Sequence, residues 1–351
     1  MPRPDRSPEI DAALLKAVAE HPQDLVSMVA AQLGLSRQRV HQRVQRLMAG
    51  NYLAKSGSTR PRYALGRNRR LQRSYERAGL ADDRVWFADL FPLLDFLPRN
   101  ILDIGQHGVT EMVNNAVDHS GATTVGVSMD CSDGCLRLEV SDDGIGIFRK
   151  ITRALDLPDE RLALLELSKG KLTTDPQRHS GEGIFFTSRM FDVYRIESGG
   201  LVFDHDMAYD QDLLDDGDER PGTRVVMRIA TDSQRTARAV IDQFSSGPDD
   251  YSFARTVVPV RLAKVGDENL VSRSQAKRLL QRVDRFRTVV LDFADVTTVG
   301  QAFADEIFRV FANAHPEVEL IHVHAVSEVQ QMIRRAEVLR DEQGGQLPLL
   351  K

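Results

Sequence analysis

Near the amino terminus, apolar residues recur at helical spacing in three consecutive sets: Ile10, Leu14, Ala17 and Val18; Leu25, Met28, Val29 and Leu33; and Val40, Val44, Leu47 and Met48. Each set predicts an amphipathic helix. Ser7 and Pro8 supply the cap and first turn of the first, Gly34 breaks the second, and Ser36 caps the third, which begins at Arg37. Two short runs, 52–55 and 62–65, flank a polar turn at 56–60 and read as a two-stranded ribbon with a basic tip. Residues 67–100 read as a connector that becomes helical through Trp86, Phe87, Leu90, Phe91, Leu94 and Leu97. A helix from 101 to 119 ends at Gly121, strands at 123–129 and 136–140 turn about Asp133 and Gly134, and a further strand spans 224–229. From residue 254 the pattern alternates: strand 256–262, helix 272–286, strand 288–293, a helix carrying Phe303, Ile307, Val310 and Phe311, strand 318–325 and helix 327–338. Strands separated by helices imply a largely parallel sheet with right-handed crossovers. The chain as a whole reads as α+β and multidomain.

The stripe of the third helix leaves Arg37, Gln38, His41, Gln42, Gln45 and Arg46 facing outward. Such side chains suit a DNA groove: arginine pairs with guanine, glutamine with adenine edges, and neighbouring positive charge grips phosphates. Arg60 and Arg62 at the ribbon tip extend that surface. Residues 1–73 thus resemble a winged helix-turn-helix domain of the kind found in MarR-like small bacterial repressors, which implies DNA as partner. A winged helix that binds protein is the alternative reading.

Charge supports the division. The formal net charge is -5, yet residues 1–73 hold 14 Lys/Arg against 5 Asp/Glu, while the rest carry 32 against 46. A basic head on an acidic body points to a polyanion-binding module attached to something else. At 351 residues, 42% hydrophobic and 28% charged, the chain has enough apolar material for two or three cores, which excludes global disorder. Its apolar stretches fall short of the roughly 20 residues a bilayer span needs, and its first residues lack a signal-peptide apolar region, so a cytosolic location with no membrane partner is expected. Cys131 and Cys135 flank a turn and read as reduced structural thiols, too few for a disulfide framework.

The chemistry gathers in the middle. Glu111, Asn115 and Asp118 fall at i, i+4 and i+7, on one face of their helix, while Met112, Val113, Ala116 and Val117 supply apolar contacts elsewhere. Polar groups so spaced suit a ligand, although a solvated structural face has the same spacing. Ser141-Asp142-Asp143-Gly144-Ile145-Gly146 follows a strand, and its glycines let backbone approach a ligand. Later, Gly181-Glu182-Gly183 opens a helix, whose amides attract phosphate oxygens, and Gly222-Thr223 precedes the last strand of the region.

The order Glu-x-x-x-Asn-Ala, Asp-x-Gly-x-Gly, Gly-x-Gly and Gly-Thr resembles the GHKL ATP-binding family, which includes gyrase, mismatch-repair ATPases, histidine kinases and anti-sigma serine kinases. The resemblance covers about residues 84–232 and implies a Bergerat α/β sandwich. Carried onto matching positions, it implies that Asn115 binds Mg2+ and Glu111 polarises the attacking water or hydroxyl. It also implies that Asp118 lies with the nucleotide, Asp142 receives the adenine amino group, Gly144 and Gly146 line base and ribose, Gly181 and Gly183 face the phosphates, and Thr223 sits near the adenine. Residues 148–180 would form a lid in which Lys169, Lys171 and Arg178 are candidate phosphate contacts or simply solvated. Glu182 departs from the pattern by placing a carboxylate beside the expected phosphates, and no helix resembles a phosphoacceptor-histidine dimerisation helix. His107 and His119 read as lid-side or helix-end residues. The acidic run from Asp204 to Glu219 holds eight carboxylates and reads as a solvated loop.

The alternating tail, with Leu291-Asp292-Phe293-Ala294-Asp295-Val296 ahead of a helix near Gly300, resembles a small α/β STAS-like domain over about residues 250–340. Where anti-sigma antagonists place a phosphorylatable serine, this chain has Gly300-Gln301-Ala302, with Thr297 and Thr298 just upstream. The expectation is therefore a DNA-binding regulator whose winged helix responds to ATP and Mg2+, with a protein partner through the STAS-like domain or a second copy as further candidates. The alternatives are an anti-sigma-type serine/threonine kinase and a DNA-remodelling ATPase.

Overall fold

The three amino-terminal stripes fold as α1 (Ser7–Ala17), α2 (Leu25–Leu33) and α3 (Arg37–Ala49) in this computed structural model, which describes residues 6–58, 60–172, 181–208, 211–247, 250–264 and 268–344. The chain divides into two units, residues 1–143 with 224–234 and residues 144–223 with 235–351.

In the first unit, Ile10, Leu14, Leu25, Val29, Val40 and Val44 are fully buried together beneath the antiparallel ribbon of β1 (Leu53–Ser56) and β2 (Arg62–Leu65). Gly34 takes the left-handed conformation that ends α2, and Ser36 accepts the Arg39 N–H at 3.3 Å to start α3. Ser7 proves to lie inside α1, with Arg6 at the cap.

The connector is not a free linker. Residues 69–76 form β3 (Arg69–Glu76), paired antiparallel along its whole length with β4 (Thr124–Ser132). Its arginines and polar residues hid an edge strand, because only one side of it meets a partner strand and most of its side chains remain wet. Next come α4 (Asp82–Arg84), a π-helical stretch Val85–Leu90 that buries Trp86, α5 (Phe91–Leu94) and the long α6 (Arg99–His119). β4 alternates, burying Val125, Val127, Met129 and Cys131, and pairs with β5 (Cys135–Asp142), which pairs in turn with residues 224–230. α6 packs its apolar side, including Ile104, Val109 and Val113, on this antiparallel sheet. Cys131 is buried and Cys135 half-buried, both reduced, and burial together with Asp130 pushes the Cys131 thiol up to about 11.

The second unit holds α7 (Ile147–Ala154), α8 (Arg161–Lys169), α9 (Gly183–Met190), β6 (Val193–Asp206) and its neighbour β7 (Gln211–Ala230), whose last seven residues belong to the first unit's sheet. The stretch 148–180, expected as a lid, holds α7 and α8 joined by a turn in its described part, 148–172, and α8 is buried from Leu162 to Lys169. The acidic run is not a solvated loop but parts of β6 and β7. Three of its carboxylates have partners there: Asp204 accepts from Arg195 at 2.9 Å, Asp216 pairs with Arg161, and Asp212 is buried against His205, while Asp215, Asp218 and Glu219 stay exposed along β7.

Further on lie α10 (Ala237–Asp242) and the small strands β8 (Ser245–Gly247) and β9 (Asp250–Phe253), none of them expected. β10 (Arg255–Pro259), α11 (Arg273–Leu280), β11 (Thr288–Asp292), α12 (Gln301–Asp305), α13 (Ala312–Ala314), β12 (Glu319–Val323) and α14 (Ser327–Gly344) complete the unit, with β10, β11 and β12 parallel in that order. The helix expected over 272–286 is cut after Leu280, and Arg282 there adopts φ +66°. Phe185 and Phe186 of α9 meet Phe253 at centroid distances of 4.5 and 4.9 Å, joining α9 to the elements that lead into the parallel sheet.

Candidate functional site

On α3, the six outward residues expected from the spacing, Arg37, Gln38, His41, Gln42, Gln45 and Arg46, are solvent-facing, as are Arg60 and Arg62 of the ribbon. Arg37, Gln38 and His41 share an open groove with Pro61 and Tyr63, so helix and ribbon present one surface. Arg43 is the exception among the basic residues of α3: it forms a bidentate pair with the buried Asp11 and ties α3 to α1.

This head is bonded to the sheet beside it. Tyr52 donates its hydroxyl to Asp130 of β4 at 2.8 Å. Arg70 of β3 lies over the Tyr52 ring, 4.4 Å from its centroid, and donates to the same carboxylate at 2.7 Å. Burial pushes the Asp130 carboxyl up, but hydrogen bonds from Ser132, Tyr52 and Arg70 bring it below the ordinary range. Asn68 closes the junction by donating to the Gly50 carbonyl at 2.9 Å. Sequence reasoning missed all of these residues, since a tyrosine in a wing and an arginine in a supposed linker carry no motif.

The residues expected at the nucleotide fall into two groups, one in each unit. In the first unit, Glu111 and Asn115 are half-buried on α6 and Asp118 is exposed one turn on. The neighbouring Asn114 is committed elsewhere, donating to Asp82 at 3.2 Å, which distinguishes Asn115 as the amide of that face. His107 lies on α6 one turn before Glu111; burial lowers its pKa, and its Nε2 is buried without a hydrogen-bond partner. It is therefore a neutral imidazole in mid-helix, which its helical position alone did not reveal. Of the paired aspartates at the end of β5, Asp143 accepts the Thr123 and Thr124 N–H groups at 2.7 and 3.0 Å and anchors the start of β4. Asp142 is half-buried at the end of β5, opposite Val125 of β4.

In the second unit, Gly146 has φ +85°, and a Cβ there would lie 2.6 Å from Ser198 Oγ, so the turn admits only glycine. Gly181 has φ +73°, and a Cβ would lie 2.5 Å from the Leu172 backbone. Gly144 lines a small hollow with Gly222, Arg149 and Arg220, and Gly183 is the first residue of α9. Thr223 is buried, and its hydroxyl accepts the Ile147 N–H at 3.0 Å, which caps α7.

The two lysines expected in a lid are structural instead. Lys169 is fully buried, donating to Glu166 at 2.6 Å and to the Gln281 carbonyl at 3.0 Å, while Arg282 donates to the other Glu166 oxygen at 2.8 Å. Lys171 donates to the Arg285 carbonyl at 3.0 Å and rests over the Phe286 ring. Both are held by the residues after α11, and neither is solvated in a mobile loop. Arg178 lies outside the described residues.

The oxygen donors on α6 fit a hard cation that takes most of its ligands from phosphates and water: Asn115 would supply an amide oxygen with Glu111 one turn away. Among the described residues no group of three or more His, Cys, Asp or Glu could hold a metal by itself, and no helix is long and apolar enough to cross a membrane.

Residues 60–203 match the model of the histidine kinase-like ATPase domain, and residues 275–330 that of a STAS-like domain of unknown function. No curated protein matches the chain. Among solved structures it is similar to Pseudomonas aeruginosa HmgR, with 16% identity over 67% of this chain and 93% of that one and a TM-score of 0.18. It is also similar to an IcIR transcriptional regulator from Alicyclobacillus acidocaldarius, with 14% identity over 68% and 96% and a TM-score of 0.18. At such TM-scores neither likeness carries an argument about fold or function.

Proposed function

From a chain that carries a histidine kinase-like ATPase domain over residues 60–203 and a STAS-like domain over 275–330, we propose an ATP-responsive regulator whose winged helix binds DNA. The candidate nucleotide residues are Asn115, Glu111, Asp118 and Asp142 and, as a separate set, Gly144, Gly146, Gly181, Gly183 and Thr223, each set taken within its own unit. Asn115 would hold Mg2+, whose charge would offset that of the phosphates, and Glu111 would orient the group that attacks the γ-phosphate.

The observation that carries the regulatory part is the Tyr52–Asp130–Arg70 contact. It joins the DNA-facing head to β4, the strand hydrogen-bonded between β3 and the β5 strand that ends at Asp142. A head bonded in this way to the ATPase sheet feels any rearrangement of that sheet. Nucleotide acts only by differential affinity for two arrangements, so it must favour one register of this junction over another.

Packing disfavours a phosphoacceptor at position 300 of this chain's own STAS-like domain. A serine at Gly300 would put a Cβ 2.7 Å from the Val271 backbone, so the STAS-like domain has no room for a phosphoacceptor there. The test is a gel-shift titration of genomic fragments without nucleotide, with ADP and with ATP, each with Mg2+. We expect the DNA affinity to differ at least about fivefold between the ATP and nucleotide-free lanes, and expect Asn115→Ala to abolish the difference. Equal affinities in all three lanes contradict the proposal.

A further inference from the structure

A cavity of about 160 Å³ lies wholly in the second unit and shares no residue with the proposed nucleotide site. It opens against the carboxyl ends of β10 and β11, where Pro259 and Asp292 are the last strand residues. Open parallel sheets place ligands at that edge. The rest of the wall comes from α9, the β6–β7 turn and α10.

Its chemistry is unusual for a structural void. Three arginines, Arg189, Arg235 and Arg261, line it together with His205, Asp212 and Asp292. Asp212 is buried, with only 3% of its surface exposed. Its Oδ1 lies 2.7 Å from His205 Nδ1, but its Oδ2 has no hydrogen-bond partner; the Arg189 guanidinium is 3.8 Å away. Arg261 donates to the Asp212 backbone carbonyl and pairs with Asp295. Burial pushes the Asp212 carboxyl up, yet His205 and the guanidinium groups bring it below the ordinary range, so it stays ionised and acceptor-only. His205 Nδ1 must then carry the proton.

A buried acceptor left without a donor costs about 1–3 kcal/mol. A simple anion would be drawn to the guanidinium groups, of which Arg235 also pairs with Asp192 at 2.9 Å and Arg261 with Asp295, and be repelled by Asp212; a simple cation would do the reverse. A group that offers an O–H donor and anionic oxygens from one centre satisfies both. We propose that the cavity binds a protonated phosphate group, either inorganic phosphate or a small phosphomonoester, with the P–O–H donating to Asp212 Oδ2 and the charged oxygens facing the guanidinium groups. Arg189 stands in the last turn of α9, the helix that begins at Gly183, so occupancy bears on the element that carries the second glycine pair.

Calorimetric titration of the full chain without nucleotide, near pH 6 where the phosphate group keeps its proton, tests this with sodium phosphate, glycerol phosphate and sodium sulfate. Sulfate has the same shape, carries one more negative charge than the protonated phosphate, and has no proton to donate, so a preference for phosphate cannot come from charge alone. The expected result is saturable phosphate binding at least about tenfold tighter than sulfate, since sites built to receive a donor reject analogues without it. Asp212→Asn should erase that preference, and Arg235→Gln should weaken every anion that binds. Tighter binding of glycerol phosphate than of inorganic phosphate identifies a monoester as the natural ligand; the reverse identifies free phosphate. Absence of saturable binding by both phosphates, sulfate binding as tightly as phosphate, or an Asp212→Asn protein that still prefers phosphate would each overturn the proposal. Should Asp212→Asn fail to fold, Arg235→Gln with the sulfate comparison carries the test alone.

Discussion

Two polar junctions bind dissimilar parts of this molecule, and they are built in opposite ways. In the first unit, Arg70 and Asp130 keep 44% and 22% of their side chains exposed where they hold Tyr52 of the head. In the second, Glu166 and Lys169 keep 2% and 1%, and Arg282 11%, where α8 meets the residues after α11. A half-wet ion pair is worth little and is remade cheaply, because water replaces either partner. A dry one cannot open without leaving an uncompensated charge in the core. The first design suits a joint that transmits a change of state; the second suits one that must never move.

The largest effect that separates them should come from Glu166→Ala, which strands Lys169 and Arg282. Denaturant unfolding should show a destabilisation of about 3–5 kcal/mol; a value under about 1 kcal/mol would mean the second junction is as replaceable as the first. Next in size is a pH effect. Burial pulls Lys169 down to about 8 against the attraction of Glu166. Above that pH the native chain has released a proton that the unfolded chain still holds, up to the ordinary lysine value of 10.5. Stability from this group therefore rises with pH across that window. Lys169→Met should remove the rise, and parallel stability curves for the two proteins would argue against it. Asp130→Asn should cost only about 1 kcal/mol, while cutting the nucleotide dependence of DNA binding. If it destabilises as much as Glu166→Ala, the contrast fails. Smallest in stability, within about 0.5 kcal/mol, is the pair Arg37→Ala and Arg46→Ala; their effect should appear in the salt slope of DNA binding, lowered by about one unit for each phosphate no longer neutralised.

Legibility followed solvent exposure. The α3 stripe has one wet face and one dry one, so its six outward residues could be named from spacing alone. The need for glycine at 146 and 181 was legible too, because both occupy backbone conformations few other residues tolerate. Charge misled wherever it was paired out of sight. The acidic run hid β6 and β7 because Asp212 is buried against His205 only after folding, while the exposed carboxylates of β7 read like a loop. Lys169 passed for a solvated lid residue because its partners, Glu166 and the Gln281 carbonyl, lie 3 and 112 positions away. β3 was missed because a polar edge strand has almost no periodic signature, and with it went the junction to the head.

The central claim is that nucleotide and DNA each read the other's occupancy. Linkage requires the coupling to be reciprocal, so ATP can be titrated into the full chain by calorimetry with Mg2+, first alone and then with DNA bound. The account predicts an ATP affinity shifted by the same factor as the DNA affinity, at least about fivefold. Superimposable ATP isotherms with and without DNA would contradict it.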